Sequence, residues 1–91
     1  MNVEEVLRGA LDKILTFTEA PELKPLSPES NLFENLDSLA VVDMLLEAET
    51  RLEEVTGRYV TLADETIFDA SKSPLKSWAE WVSYVEKKYA D

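Results

Sequence analysis

The chain has no cysteine, no histidine and only two glycines in 91 residues. Without cysteine there is no disulfide, no thiolate zinc site and no cysteine nucleophile. Without histidine the usual general base and the Ser-His-Asp arrangement are excluded. Long apolar runs are also missing. The longest, Leu39 to Val42, falls far short of the roughly 20 residues that span a bilayer. The opening Met1-Asn2-Val3-Glu4-Glu5 is acidic and amphipathic, whereas a secretion signal carries positive charge followed by an apolar stretch. Positive charge is scarce, with 9 Lys+Arg against 19 Asp+Glu and a net charge of −10. Phosphate backbones repel such a chain, so nucleic acid is not an expected partner. Basic protein surfaces are. The length and the 45% hydrophobic content suit one domain, residues 1–91, with a small core. The expected protein is a cytoplasmic monomer without a membrane span.

What is present is helical periodicity. Val3, Val6, Leu7, Ala10, Leu11, Ile14 and Phe17 recur at spacings of three and four, which predicts an amphipathic helix over residues 2–18. Gly9 costs it roughly 1 kcal/mol relative to alanine. Pro21, Pro25 and Pro28 then break the pattern and predict a long loop over 19–37. Leu26, Leu32, Phe33 and Leu36 are its candidate anchors. Residues 38–56 contain neither proline nor glycine and end at Gly57, a stop signal. Residues 58–61 read as extended and Ala63 to Asp69 as a short helical turn. Ser73-Pro74 then opens a last amphipathic helix through Leu75, Trp78, Trp81, Val82, Val85 and Tyr89. The paired tryptophans read as core. The expected fold is all-α: a small four-helix bundle of three longer helices and one short helix, with a long loop between helices one and two.

The helix beginning at Ser38 carries the candidate chemistry. At 100° per residue, Val41, Met44, Leu45, Ala48, Leu52 and Val55 share one side and predict a core face. Asp43, Glu47, Thr50 and Glu54 share the opposite side. Leu39, Val42 and Leu46 lie between, on the wing nearest Ser38. This apolar strip beside acids is either a docking surface or is covered by the loop or the short helix. Ser38 sits at the helix N-terminus, where free N–H groups and the dipole favour a phosphate. Asp37 either caps the helix or helps hold a divalent cation near a bound phosphate.

The run Asn31-Leu32-Phe33-Glu34-Asn35-Leu36-Asp37-Ser38-Leu39 resembles the phosphopantetheine attachment region of acyl and peptidyl carrier proteins. The resemblance extends to the order of helices over nearly the whole chain. It implies that Ser38 carries a covalent 4′-phosphopantetheine, with Asp37 part of the attachment motif. It further implies that the arm holds an acyl or aminoacyl group as a thioester. A phosphopantetheinyl transferase, a loading ligase and downstream acyltransferases or synthases would be the partners. They would contact Leu39, Val42 and Leu46, with Asp43, Glu47 and Glu54 steering their basic surfaces. Many members have glycine shortly before the aspartate, where this chain has Asn35-Leu36. Many fatty-acid carriers have an acid where this chain has Ala40. The Leu-Phe-Glu lead-in and Ala40-Val41-Val42 are more similar to stand-alone aminoacyl or D-alanyl carriers and to carriers of specialised pathways.

On this reading the chain is not an enzyme, and its missing cysteine is no obstacle, because the cofactor brings the sulfur. The competing reading is a non-catalytic acidic helical adaptor that binds a basic protein without a cofactor. Hydrolase chemistry is disfavoured, since Glu53 and Glu54 are adjacent on a helix and do not face one another. Asp64, Glu65 and Asp69 lack the spacing and glycine of a calcium loop.

Overall fold

A computed structural model of the chain describes residues 2–90, which are all-helical and contain no strand. The α-helices are α1 (Val3–Ile14), the one-turn α2 (Leu32–Asn35), α3 (Ser38–Thr56) and α4 (Trp78–Ala90). Three 3₁₀ turns, Pro21–Leu23, Glu65–Phe68 and Pro74–Lys76, lie in the connections. No helix among the described residues is long and apolar enough to cross a membrane.

Helix α1 starts because Asn2 caps it, its Oδ1 accepting the Glu5 N–H at 3.1 Å. Glu4 and Glu5 in the first turn and Lys13 in the last suit the helix dipole. Val3, Leu7, Ala10, Leu11 and Ile14 are buried. The helix runs antiparallel to α3: Lys13 meets Glu47, and Arg51 meets Gly9 one turn earlier. A Cβ on Gly9 would stand 2.7 Å from the Arg51 guanidinium, so the missing side chain makes room for that arm.

The predicted end of this helix is corrected. The helix ends at Ile14, and the Thr16 and Phe17 N–H groups donate to the carbonyls of Lys13 and Ile14, three residues back, before the Thr18 N–H also returns to Ile14. That tighter winding advances about 120° per residue rather than 100°. It carries Phe17 out of the core, to 76% exposure.

The segment 19–37 is not one uninterrupted loop. Ala20, Leu23, Leu32 and Leu36 are buried, and Leu26 and Phe33 pack against the core from its edge. Asn31 caps α2, accepting the Glu34 N–H at 2.9 Å. The Pro28 carbonyl accepts the Ala79 N–H at 2.9 Å and ties the segment to the start of α4. The short turn expected at Ala63 to Asp69 forms as the 3₁₀ turn Glu65–Phe68, burying Ile67. Ser73 accepts the Leu75 N–H as predicted, but that turn ends at Lys76. Ser77 begins α4 afresh, its Oγ accepting the Glu80 N–H at 3.1 Å.

Both tryptophans are core residues. The Trp78 Nε1–H donates to Glu4 at 2.9 Å and pins the start of α4 to the start of α1. Trp81 is fully buried and stacked on Tyr84 with centroids 5.9 Å apart.

Candidate functional site

Helix α3 is bounded by the two residues that its sequence marks. Asp37, extended at φ −76° and ψ 170°, accepts the Ala40 N–H on Oδ1 at 2.8 Å. Its carbonyl accepts the Val41 N–H at 3.0 Å. At the other end Gly57, at φ 75°, closes the helix with its N–H on the Glu53 carbonyl at 2.8 Å. Of the two roles weighed for Asp37, the geometry here is that of a cap.

Ser38 is the first helical residue and is exposed. Its hydroxyl makes no hydrogen bond with the described residues. With the Ala40 and Val41 N–H groups engaged, the N–H groups of Ser38 and Leu39 remain at the mouth of the helix without a partner one turn back. An anion on Ser38 Oγ would therefore meet two backbone donors and the positive end of a 19-residue helix.

Beside the serine is a mostly apolar cavity of about 280 Å³. Phe33, Leu36, Val41, Ile67, Phe68 and Leu75 line it together with Ser38. The Ile67-Phe68 pair was visible in the sequence only as part of a short turn. Its approach to Ser38 depends on contacts across about thirty positions, which helical periodicity does not report.

The apolar strip is uncovered: Leu39, Val42 and Leu46 are 70%, 39% and 53% exposed. Neither the 19–37 segment nor the Glu65–Phe68 turn closes over it. Phe17 adds to it, because Phe17, Leu46 and Asp43 line one shallow groove between the end of α1 and α3.

The acidic stripe divides. Asp43 and Glu54 are exposed and make no ion pair among the described residues. Glu47 differs. Arg51 Nε donates to it at 2.8 Å and Lys13 Nζ at 3.1 Å. The hydrogen bond from Arg51, then that from Lys13, lowers its pKa. Two cations thus neutralise its charge, which leaves Asp43 and Glu54 as the acids free to face a partner.

Two further carboxylates hold the fold around the site. Glu49, predicted for no role, is 3% exposed. It accepts the Tyr59 hydroxyl at 2.7 Å and the Leu62 N–H at 2.7 Å, fastening the irregular 59–63 segment to α3. Asp64 accepts the Thr66 hydroxyl at 2.6 Å and the Tyr84 hydroxyl at 2.7 Å, with Lys88 at 3.5 Å. The Thr66 side chain foremost, against a cost of partial burial, lowers the Asp64 pKa to about 2. Burial and the Asp64 contact push the Tyr84 hydroxyl up.

The core face departs from the prediction at Val55, which is 56% exposed. It lies on the same side as Met44 and Ala48 but in the last turn. The pairs Lys13–Glu47 and Gly9–Arg51 set Val55 level with the first turn of α1, and no structural feature accounts for its exposure. Comparison with protein-family models, with curated proteins and with solved structures finds no match to this chain.

Proposed function

We propose that the chain is a stand-alone carrier protein that bears 4′-phosphopantetheine on Ser38. The observation that carries the reading is the setting of one hydroxyl. Ser38 is exposed, free of protein hydrogen bonds, and first in the longest helix, next to an aspartate already engaged as the cap. A transferase needs such an oxygen: accessible, held by a rigid element, and placed where the phosphodiester it forms is stabilised by helix N–H groups. Once attached, the arm supplies a thiol that holds an acyl or aminoacyl group as a thioester.

The chain's own residues position and deliver. The cap fixes the direction in which Ser38 leaves the helix. Leu39, Val42 and Leu46 offer apolar contact to the transferase, the loading ligase and the downstream acyltransferase or synthase. Asp43 and Glu54 favour their basic surfaces, and tethering raises the effective concentration of the cargo at each active site. Three longer helices and one short helix suit the carrier type of four-helix bundle, and coenzyme A as the donor of the arm suits action in the cytoplasm.

Mass spectrometry after incubation with coenzyme A and a broad-specificity phosphopantetheinyl transferase tests the reading. The expected result is a gain of roughly 340 Da, the mass of the added arm, that disappears in Ser38→Ala. An active transferase that leaves the wild-type mass unchanged refutes it. The uncovered strip would equally serve an adaptor without a cofactor, for which Ser38→Ala leaves partner function intact.

A further inference from the structure

A second concavity lies away from Ser38. It is an open groove of about 570 Å³ between the 71–76 segment and one face of α4. Lys72, Lys76 and Lys87 line it, with the hydroxyl-bearing Ser71 and Ser83. Glu80 is the one acid in the lining, so the walls carry two positive charges in excess. In a chain of net charge −10 with nine basic residues, three around one concavity is a marked concentration.

These lysines are also uncommitted. None of the three makes an ion pair with a described residue, whereas Lys13, Arg51 and Lys88 do. Of the neighbouring acids, Glu80 and Glu86 make no ion pair with a described residue, and Asp69 feels the Lys76 charge but is occupied by Ser71. Asp69 accepts the Ser71 N–H at 2.9 Å and the Ser71 hydroxyl at 2.7 Å. Asp64 is engaged by Thr66, Tyr84 and Lys88. Both groove walls are fixed. Ser73 is buried and caps the Pro74–Lys76 turn, and Tyr84 is stacked on Trp81.

From this juxtaposition we propose that the groove binds a compact polyanion of the phosphate-ester class. Lysine ammonium groups are strong donors to phosphoryl oxygens. Concavity favours a small anion over a flat acidic surface, and Pro74 and Ala79 in the lining offer apolar contact to its organic part. The site shares no residue with the Ser38 region and is independent of the carrier reading.

The test is a titration of the full chain with inorganic pyrophosphate at low ionic strength, followed by amide NMR. Saturable shifts confined to residues 71–76 and 79–87 are expected. The exposed triple variant Lys72→Gln, Lys76→Gln, Lys87→Gln should weaken binding about tenfold or more, while Lys24→Gln and Ser38→Ala leave it unchanged. Absence of saturable shifts, shifts spread over all lysines, or an undiminished response in the triple variant overturns the proposal. So does a hexaglutamate peptide that displaces pyrophosphate with tighter binding at the same amides, which would assign the groove to an acidic polypeptide.

Discussion

Two carboxylates, Glu49 and Asp64, do for the irregular half of the chain what backbone hydrogen bonds do for the helices. Glu49 lies on the flank of the α3 core face and takes up the Leu62 N–H and the Tyr59 hydroxyl. A buried N–H that loses a charged acceptor is left unpaired, at a cost of about 1–3 kcal/mol. Glu49→Ala should destabilise the fold by about that amount in urea unfolding, with Glu49→Gln recovering part of the loss. A change within experimental error in Glu49→Ala would mean that the 59–63 segment is held by Leu62 packing alone. Asp64 makes a pH-dependent tie. Its folded pKa, about 2, lies below the ordinary 3.8, so the ionised form is the one the fold favours. Its contribution is complete above about pH 5 and is lost as pH falls through 3.8 toward 2. The stability difference between wild type and Asp64→Asn should therefore shrink steadily from pH 5 to pH 2. A difference that stays constant over that range would show that the charge is not what Tyr84, Thr66 and Lys88 hold.

Among the elements, α3 has two working faces separated by a single residue. Leu45 is fully buried and Leu46 is 53% exposed. Leu45→Ala should cost about 2–5 kcal/mol, because it empties a packed site. Leu46→Ala should shift stability by no more than about 0.5 kcal/mol while, on the carrier proposal, reducing transfer of the arm to Ser38. Equal stability losses in both variants would mean that the strip is part of the core and not a docking face. This helix was the most legible part of the sequence. Asp37 and Gly57 announce its ends by local chemistry, and its core face follows from the 100° repeat through Val41, Met44, Leu45, Ala48 and Leu52. Ser38 was legible for the same local reason, since its place follows from the cap beside it. Periodicity failed where a neighbour or a change of winding decides. Val55 keeps the phase yet is left exposed in the last turn, and Phe17 lies beyond the point where α1 tightens. The helical turn at Leu32–Asn35 was hidden among prolines, although Leu32 was correctly read as an anchor. Glu49 was missed because the partners that bury it lie ten or more residues ahead, in a segment with no periodic signal.

At the scale of the whole molecule the charge has a sign-specific consequence. Residues 1–56 hold 13 acids and 4 bases, and two of those bases, Lys13 and Arg51, both address Glu47. The molecule measures 33 × 28 × 22 Å. At about 10 mM salt the Debye length is about 30 Å, so each acid senses nearly all the others; at 0.1 M it is about 10 Å and only near neighbours matter. Unfolding spreads these charges, so their repulsion acts against the compact state. The ion pairs oppose this weakly, because partly exposed pairs contribute about 0–1 kcal/mol each. Added salt should thus stabilise the fold. Relief of about 1 kcal/mol corresponds to a rise in Tm of roughly 4–8 °C for a domain of this size, between about 10 and 300 mM sodium chloride at pH 7. Association with a basic partner should move the other way over the same series, weakening as salt screens the attraction. A Tm that stays level or falls would mean that the Lys13–Glu47–Arg51 cluster and its like outweigh the repulsion. The acidity of α3 would then be a stabilising feature of the fold, with no excess field left to direct a partner.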